Sequence, residues 1–454
     1  MKGNEWQRRA HAPLDASALV AFRVLFGLVQ FAGCVRFLAA GWVEDFFVAP
    51  SFFFHFWFAR GVSVGPPWVM YSAVCMLAVL SLCIAAGWYY RYATVGFLAL
   101  FVYVELIDVT NYLNHYYLVS LVALLLTILP LHRAGSLDAR RRPEIEVQSF
   151  PAWMTWLLRF QVGLVYVFAA IAKANEDWLL HAQPLEIWLS ARTETPWIGG
   201  LVGAPFAGIV MSWAGFLFDL CIVPALLWAK TRRAAFAGLV LFHVSVGLLF
   251  NIGMFPFIMV CCATVFLAPD WPRRLGRKGD GRVRSLPPLE SWRLSRWAVV
   301  LLALWVGFHV MTPLRGVVHP GAMTWHEQGM RFSWRVMVRE KNGSVTYRVR
   351  SDRWTREREV TPARYLTSYQ EREMSGQPDL IVQLAKHIGE DLEQKGHRDV
   401  EVRADALVAW NGRPPAPLID PEMDLLSVED DPWETADWIL SQPSNSPRRR
   451  GFAP

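Results

Sequence analysis

The sequence predicts an α-helical protein that crosses a membrane about nine times and ends in a small α+β domain outside the hydrocarbon. Of its 454 residues 54% are hydrophobic and only 19% are charged, whereas an average globular chain has about a quarter charged residues. Apolar windows cover most of the first 313 positions, and the pattern then becomes amphipathic. This composition excludes a disordered chain, a collagen, a small disulfide scaffold and a single cytosolic domain.

Each predicted span is a window near the length of about 20 apolar residues that a helix needs to cross the hydrocarbon core. Two of them, the fourth and the eighth, are short for a complete span. The windows are residues 17–40, 67–88, 93–112, 117–131, 154–173, 206–229, 234–251, 255–268 and 295–313.

The Lys and Arg residues between the spans predict the orientation, because cytoplasmic loops carry an excess of positive charge. The N-terminus and the loops on its side hold nineteen of these residues, whereas the loops on the other side hold only Arg60 and Arg192. We therefore expect a cytoplasmic N-terminus and, with nine spans, an extracytoplasmic C-terminal region. The net charge of +6 then belongs to loops beside a membrane, and we expect no nucleic-acid partner.

The last third of the chain contains the elements of a small α+β domain. Residues Phe332–Arg339 and Val345–Arg350 alternate as strands do, and Asn342-Gly343 between them predicts a hairpin turn. Apolar residues from Leu380 to Leu392 recur at helical spacing, and Val400–Trp410 alternates again. We expect a transmembrane domain, an α+β domain and a polar tail without fixed structure, over residues 1–313, 314–440 and 441–454.

The fifth predicted span carries three polar side chains at intervals of seven residues, which places them along one face of a helix. They are Arg159, Tyr166 and Lys173, and Lys173 is the only lysine in any predicted span. One interpretation is that its ammonium reaches the interface and lies near Glu176 and Asp177. The other is that the amine lies partly out of water and accepts protons in its uncharged form.

Polar residues in the other spans allow similar alternatives. Asp108, Asn111 and His115 are spaced to share a helical face, so they either satisfy one another at a break between two spans or form part of a site. His243 is a lone histidine in its span, which is more often a packed group than a catalyst. Asp219 is interpreted as a structural counter-charge, as are the arginines of the first span.

Motifs of soluble nucleotide-dependent and hydrolytic enzymes are missing, since the sequence has no GxGxxG, P-loop, GxSxG or HExxH pattern. No metal site is predicted, because the six cysteines lie in apolar stretches without metal-ligand spacing. The polar residues therefore favour acid–base chemistry at membrane depth, or transport, which uses the same residue types.

A series of short motifs resembles the vitamin K-dependent gamma-carboxylases, in the right order and over nearly the whole chain. They are Phe22-Arg-Val-Leu-Phe-Gly27, Asn114-His-Tyr-Tyr117, Ser136-Leu-Asp-Ala-Arg140, Lys173-Ala-Asn-Glu-Asp-Trp178, Phe242-His243 with Asn251-Ile-Gly-Met-Phe255, Phe332-Ser-Trp334, Val400-Glu-Val-Arg-Ala-Asp405, Asn411-Gly-Arg-Pro414 and Leu418-Ile-Asp-Pro421.

The resemblance implies an integral-membrane enzyme of bacterial type, expected in the inner membrane, whose cofactor is reduced vitamin K, a hydroquinone, or the related menaquinol. In that family the hydroquinone is deprotonated and oxidised by O2 to the epoxide, while a protein glutamate loses a γ-proton and takes up CO2. The partners implied are the lipid bilayer, a lipophilic quinol and a glutamate-containing protein or peptide.

The resemblance also implies the site residues. Lys173 matches the lysine that deprotonates the hydroquinone, and His115 and His243 match pocket histidines that we expect to be catalytic. Asn114, Tyr166 and Trp334 match residues that bind the substrate or the quinone, and no metal is implied.

The chain departs from the animal enzymes at positions that leave its activity open. Arg339 stands where they have a histidine, Gly316 where another is expected, and their cysteine bridge between the two domains cannot form. The alternatives are carboxylation, quinol epoxidation without carboxylation, and a non-enzymatic transporter or sensor on the same scaffold. A transporter would favour internal repeats, and none is evident between the two halves.

Overall fold

A computed structural model describes residues 5–196, 198–276, 294–429 and 433–447 of the chain. Within these ranges, the N-terminal part is a bundle of nine apolar helices. They are α1 (Ser17–Ala39), α2 (Pro67–Ala86), α3 (Tyr90–Leu106), α4 (Asn114–Ile128), α5 (Ala152–Lys173), α6 (Ala207–Leu227), α7 (Arg232–Leu249), α8 (Phe255–Ala263) and α9 (Arg296–Leu314). Short helices accompany them at Glu5–Ala10, Leu137–Arg141, Glu176–Leu179, Leu185–Ser190, Gly199–Val202 and Trp271–Gly276.

The predicted spans agree with these helices in position. Six of them, α1, α2, α5, α6, α7 and α9, are long and apolar enough to cross a membrane. Helices α4 and α8 are the two short windows of the sequence, and α8 continues into the 3₁₀ turn Thr264–Phe266. The expected fold class, a polytopic helical membrane domain followed by a small domain with a sheet, is therefore confirmed.

The basic loops meet at one end of this bundle, opposite the C-terminal domain. A short antiparallel ladder joins β1 (Pro13–Asp15) to β2 (Ser149–Pro151). Nearby, Ser17 Oγ donates to the carbonyl oxygen of Pro269 at 3.1 Å. The orientation prediction also depends on the arginine-rich loop before α9. Residues 277–293 of this loop lie outside the described residues.

Arg23 in α1 supports this end of the bundle from inside. Its guanidinium is buried and donates to the carbonyl oxygens of Leu131, Ala134 and Gly135 at 2.8, 3.1 and 2.8 Å. Buried carbonyl oxygens need hydrogen-bond donors, and the guanidinium supplies them. Arg23 therefore has a structural role beyond the end of α4.

Helix α1 packs closely against α2 through Gly27. A Cβ atom at this position would lie 2.5 Å from the Ser81 carbonyl oxygen and 2.7 Å from the Ala85 nitrogen. Phe22 and Phe26, on the same helix, are fully buried. Glycine is needed at this point because two helix backbones approach each other without room for a side chain.

The elements of the C-terminal domain are the helix Met323–His326, β3 (Lys341–Arg350), β4 (Arg358–Val360), α10 (Ser368–Met374), α11 (Pro378–Gln394), β5 (Glu401–Trp410) and β6 (Ala416–Pro417). The strands form a four-stranded antiparallel sheet with the order β4-β3-β5-β6. Helix α11 packs its predicted apolar face, from Leu380 to Leu392, into the same core as the sheet.

The prediction of the first hairpin strand, over residues 332–339, is wrong. Residues 332–339 form no strand, because Phe332, Trp334 and Met337 have φ angles of 63°, 57° and 54°. Extended strands need negative φ angles, and bulky side chains rarely adopt positive ones. The alternating pattern here belongs to an irregular segment, which we call the 332–339 segment.

The predicted turn is also wrong. Asn342 and Gly343 lie inside β3, which pairs along its whole length with β5. A Cβ atom on Gly343 would lie 2.6 Å from the carbonyl oxygen of Ser375, just after α10. The glycine therefore permits a close approach of a helix end to the strand, and it does not mark a turn.

Loops of the membrane domain enter the core of the C-terminal domain. Phe54 and Phe56, between α1 and α2, belong to the same buried cluster as the sheet, and so does Val109 between α3 and α4. Gln370 Nε2 of α10 donates to Asp108 Oδ2 at 2.7 Å. The two domains are therefore joined by both apolar and polar contacts at this end of the bundle.

Of the two alternatives for Asp108, Asn111 and His115, mutual satisfaction is not observed, because their side chains form no hydrogen bonds with one another in the described residues. Asp108 Oδ1 instead accepts from the nitrogen and the hydroxyl of Thr110 at 2.9 and 2.8 Å. The shared helical face is lost because the backbone is extended at Asp108 and again at Leu113. His115 lies beyond this break, in the first turn of α4.

The polar C-terminal segment is described as far as residue 447. Gln442 Oε1 accepts from the nitrogen of Ala322 at 2.5 Å, and Arg413 Nε donates to the carbonyl oxygen of Asn445 at 2.8 Å. Its first residues therefore lie against the C-terminal domain. The rest of the tail that was expected to be disordered, residues 448–454, lies outside the described residues.

We expect Gly27→Ala to lower the free energy of unfolding by about 1–3 kcal/mol, because the added methyl group overpacks the α1–α2 contact. Gly238 in α7 is the matched control, since nothing lies within 4 Å of a Cβ atom there. Gly238→Ala should leave stability unchanged or slightly raised. Thermal unfolding in detergent measures both variants, and equal losses would contradict the packing role of Gly27.

Candidate functional site

A cavity of about 90 Å³ lies between α5, α6, α7 and α8, on the side that carries the C-terminal domain. Its ionisable lining residues are Tyr166, Lys173, Asp219 and His243. Aromatic and aliphatic side chains form the walls, among them Phe242, Phe250, Phe255, Met259, Val336 and Met337. The cavity is therefore apolar, with four ionisable side chains directed at it.

Lys173 and Asp219 form a buried ion pair at the cavity. Lys173 Nζ lies 2.8 Å from Asp219 Oδ2, and the two side chains are only 8% and 7% exposed. Asp219 is the thirteenth residue of α6, about 18 Å along the helix from its start at 1.5 Å per residue. The pair therefore lies well inside the bundle and not at its surface.

The geometry of α5 explains why Lys173 does not reach the aqueous interface. Lys173 is the last residue of the helix, and helical side chains lean back toward the N-terminus. Its ammonium points into the bundle, 5.1 Å from the centre of the Trp178 ring, and also donates to the Val336 carbonyl oxygen at 3.3 Å. The expected acidic neighbour Asp177 pairs with Arg413 instead.

Asp219 is a polar residue of the cavity for which the sequence alone named no partner. Its interpretation as a counter-charge agrees with the structure, in which its carboxylate pairs directly with the Lys173 ammonium. A signal was present, because Asp219 is the only acidic residue in the sixth predicted span and Lys173 the only lysine in any span. Opposite charges placed in hydrocarbon are expected to pair.

Tyr166 and His243 form the second polar pair of the cavity. Tyr166 Oη lies 3.0 Å from His243 Nε2, and both side chains are buried. His243 Nδ1 is buried too, and among the residues that the structure describes it has no hydrogen-bond partner. A buried ring nitrogen without a partner can form a hydrogen bond with a polar group of a ligand.

His115 lies close to the cavity but does not line it. Its ring centre is 5.7 Å from that of Phe255, which is 5.5 Å from the ring of His243. The phenyl ring of Phe255 therefore contacts both histidines. The ring of His115 also contacts that of Tyr116, with 4.6 Å between the ring centres.

Asn114 and Trp334 occupy a neighbouring aromatic region. Asn114 Oδ1 accepts from Tyr112 Oη at 3.0 Å. The indole of Trp334 is buried and stacks on Tyr117, with ring centres 4.9 Å apart. Neither residue lines the cavity itself, although Trp334 belongs to the segment that covers it.

Arg159 does not join the site, although it was expected on the same face as Tyr166 and Lys173. It donates to the carbonyl oxygens of Val265 and Leu267 at 2.8 and 3.3 Å. Seven residues from Tyr166 along α5 place it about 10 Å nearer the basic end of the bundle. The heptad spacing therefore identified a common face but not a common site.

The C-terminal domain closes the cavity through the 332–339 segment. Val336 and Met337 line the cavity directly, and Val338 packs with Ala172 and Trp178 in one small buried cluster. Sequence reasoning missed these residues because it interpreted the segment as an ordinary strand. The segment has positive φ angles on both sides of Val336, at Trp334 and Met337, and the Val336 carbonyl oxygen lies 3.3 Å from Lys173 Nζ.

A larger cavity, of about 350 Å³, lies in the C-terminal domain beside the loop after α1. Phe332 lines it, together with Trp57, Arg331 and Asp379. The Phe332 ring also lies 4.9 Å from the ring of Tyr117, which stacks on Trp334. An aromatic series therefore connects this cavity with the region beside the first one.

Arg339 has a structural partner in this domain. Its guanidinium lies 2.5 Å from Glu327 Oε1, and Lys341 Nζ lies 3.2 Å from the same oxygen. Burial lowers the pKa of Lys341 to about 8. At the position where the animal enzymes have a histidine, this chain therefore has a permanently charged side chain held by a carboxylate.

The helix bundle, the buried lysine–aspartate cavity and the sheet-containing domain that covers it define a polytopic integral-membrane protein with a composite site. An HTTM domain model matches residues 11–271, more than half of the chain. A model of the vitamin K-dependent gamma-carboxylase lumenal domain matches residues 294–445. The chain belongs to the vitamin K-dependent gamma-carboxylase family. No solved structure matches it.

We expect Lys173→Met to lower the free energy of unfolding by about 3–5 kcal/mol, because it leaves the Asp219 carboxylate buried without a counter-charge. The double variant Lys173→Met/Asp219→Leu removes both charges and should recover most of that loss. Unfolding of both variants in detergent, compared with wild type, gives the coupling between the two side chains. A double variant no more stable than Lys173→Met would contradict the ion pair.

Proposed function

We propose that the cavity beside Lys173 is the site at which this protein deprotonates a lipophilic hydroquinone of the vitamin K type. The observation that carries the proposal is the Lys173–Asp219 pair, held out of water next to the Tyr166–His243 pair. Reduced vitamin K, when bound, would supply the redox chemistry: its oxidation by O2 gives the epoxide and drives the carboxylation of a protein glutamate by CO2.

The lysine–aspartate pair is suited to accept a phenolic proton. Transfer of one proton from Lys173 Nζ to Asp219 Oδ2, over 2.8 Å, converts the ion pair into a neutral pair with a free amine. The pair carries no net charge before or after this transfer, so the exchange adds no unpaired charge to the apolar cavity. Lys173 Nζ then takes the proton of the hydroquinone without help from a metal.

The cavity fits an aromatic diol on chemical grounds. Its walls are aromatic and aliphatic, and His243 Nδ1 and the Tyr166 hydroxyl offer polar groups to the ligand oxygens. Helix α7 buries only Leu239 and His243, while its residues Leu241 and Leu248 are 67% and 75% exposed. Most of α7 therefore faces lipid, and a quinol can enter from the bilayer past a single helix.

The C-terminal domain excludes water from the reacting groups. The 332–339 segment covers Lys173 from the side opposite the bundle, and Trp178 covers it from the end of α5. Exclusion of water protects a strong base from being quenched and strengthens the electrostatic interactions around Lys173. The site therefore needs both domains to work.

We assign supporting roles to the residues that lie outside the cavity. His115 would fix the position of Phe255 and so the wall next to His243. Trp334 and Asn114 would order the aromatic region through Tyr117 and Tyr112. A glutamate side chain would approach along this region from the 350 Å³ cavity of the C-terminal domain.

The positive charges of the loops support a cytoplasmic N-terminus and an extracytoplasmic C-terminal domain. The proposed location is the bacterial inner membrane. With this orientation, the quinol enters from the bilayer and the protein substrate from the extracytoplasmic side.

A narrower activity, quinol epoxidation without carboxylation, is favoured by one observation. The chain has Arg339 where the animal enzymes have a histidine, and Glu327 neutralises it. The Lys173 cavity does not involve this position. The departure at Arg339 therefore affects the proposed carboxylation and leaves the proposed deprotonation of the quinol unchanged.

We expect Lys173→Met to reduce two rates, the formation of the epoxide and the incorporation of labelled CO2 into the peptide. Each should fall by about 100-fold or more, which is the usual contribution of a positioned base. The assay uses purified protein with reduced vitamin K, O2, labelled CO2 and a glutamate peptide, and measures the two products separately. Lys230→Met is the matched control, because Lys230 is an exposed lysine after α6, and it should stay within about twofold of wild type.

The pattern of the two signals separates the proposals. Epoxide without fixed label in wild type would favour the narrower activity. Neither product from a folded wild-type protein would contradict the enzymatic proposal and favour a transporter or sensor. Full activity of Lys173→Met would remove the lysine from the reaction.

A further inference from the structure

The Asn411-Gly-Arg-Pro motif is not explained by the cavity alone. Asn411 and Arg413 belong to the C-terminal domain and follow β5, and neither lines the cavity. Their side chains nevertheless converge on Asp177, four residues after Lys173. We propose that Asn411 and Arg413 are positioning residues, which use Asp177 to hold the 332–339 segment against Lys173.

Asp177 is the anchor of this contact on the membrane domain. Arg413 donates to both of its carboxylate oxygens, at 2.6 and 2.8 Å, and Asn411 Nδ2 donates to Oδ2 at 3.0 Å. The carboxylate and the guanidinium are only 11% and 10% exposed. A bidentate pair of this kind fixes both distance and orientation, and it is stronger than a surface ion pair.

Asn411 carries the constraint onward to the 332–339 segment. Its Oδ1 accepts from the nitrogen of Glu340 at 2.9 Å, and its own nitrogen donates to the Glu340 carbonyl oxygen at 3.0 Å. Glu340 Oε2 in turn accepts from Trp188 Nε1 of the membrane domain at 2.6 Å. The C-terminal end of the segment is therefore held on two sides.

The contacts form a closed series around the amine. From Lys173 the chain runs four residues to Asp177, whose carboxylate binds Asn411, and Asn411 binds Glu340. Four residues before Glu340, the carbonyl oxygen of Val336 accepts from Lys173 Nζ at 3.3 Å. Loss of the hydrogen bonds at Asp177 is therefore expected to shift the 332–339 segment, which covers Lys173.

Backbone strain makes this restraint necessary. Phe332, Trp334 and Met337 all have positive φ angles, and each such residue costs on the order of 1–3 kcal/mol unless its surroundings hold it. A strained segment released at one end relaxes to ordinary angles and moves away from the cavity. The hydrogen bonds of Asn411 and Arg413 to Asp177 therefore counteract a tendency of the 332–339 segment to move away from the cavity.

Simple adhesion between domains is the competing explanation, and the chain offers a matched control for it. Gln370 also joins the two domains through a buried carboxylate, because its Nε2 donates to Asp108 Oδ2 at 2.7 Å and to the Phe52 carbonyl oxygen at 2.8 Å. Gln370 and Asn411 are each only 2% exposed. Gln370, however, is not bonded to the 332–339 segment.

The test measures the oxidation of individual methionines by hydrogen peroxide, using peptide mass spectrometry on the purified full-length protein. Met337 lines the cavity and reports opening of the segment, whereas Met374 is fully buried in the C-terminal domain and reports unfolding of that domain. Oxidation adds one oxygen atom from the peroxide to the thioether and releases water, and its rate follows access of the reagent.

We expect Asn411→Ala to raise the oxidation rate of Met337 by at least about fivefold through local opening, with Met374 unchanged within about twofold. Gln370→Ala should leave Met337 unchanged. Arg413→Lys, which keeps the charge but loses the bidentate geometry, should give an intermediate rate, and it also serves if Asn411→Ala fails to fold.

Three outcomes would overturn the proposal. The first is an unchanged Met337 rate in folded Asn411→Ala or in Arg413→Lys. The second is an equal rise in Gln370→Ala, which would indicate adhesion alone. The third is a parallel rise of Met374, which would indicate unfolding of the C-terminal domain.

A second measurement rests on the proposed function. If Lys173 is the base, Asn411→Ala lowers the turnover of hydroquinone to epoxide by about tenfold or more, while Gln370→Ala stays within about twofold. Arg413→Lys should retain more of the turnover than Arg413→Gln. Opening of the segment in a protein that makes no epoxide would leave the positioning role intact and contradict only the proposed function.

Discussion

The structure depends on one constraint, which is that the charges of Lys173 and Asp219 are buried in an apolar interior. Either charge without the other would be strongly destabilising there. Burial of a single ammonium or carboxylate at this depth costs several kcal/mol even after relaxation, so each requires the other within contact distance. Helices α5 and α6 must therefore pack closely, and Gly163 of α5 faces Val223 of α6 across this contact.

The C-terminal domain is part of this arrangement and not an appendage. Its 332–339 segment supplies a wall of the cavity and a hydrogen-bond acceptor for Lys173, in a backbone conformation that isolated chain would not adopt. Contacts at Asp108 and Asp177 place the domain on the bundle, and apolar residues from the loops of the bundle complete its core. The cavity beside Lys173 is therefore lined by residues of both domains.

Much of the site was predictable because polar residues are rare and costly in apolar windows. Lys173, Tyr166 and His243 were identified on that ground and on the family resemblance, and they line one cavity. His115 was also identified, but its neighbourhood depended on the break after α3, where the helical spacing used to group it with Asp108 does not apply. Trp334 came from resemblance alone, since an indole in an irregular segment has no periodic signal.

The sequence by itself determined the helices, their order and the two-domain organisation, because hydrophobic length and periodicity act locally along the chain. Only the tertiary structure decided the partners, since pairing is set by distances between segments far apart in sequence. Asp219 became the counter-ion of Lys173, and Asp177 that of Arg413, although sequence proximity suggested another assignment. Asn342-Gly343 shows the same limit, because a local turn signal was overridden by pairing with β5 and by the close approach of Ser375.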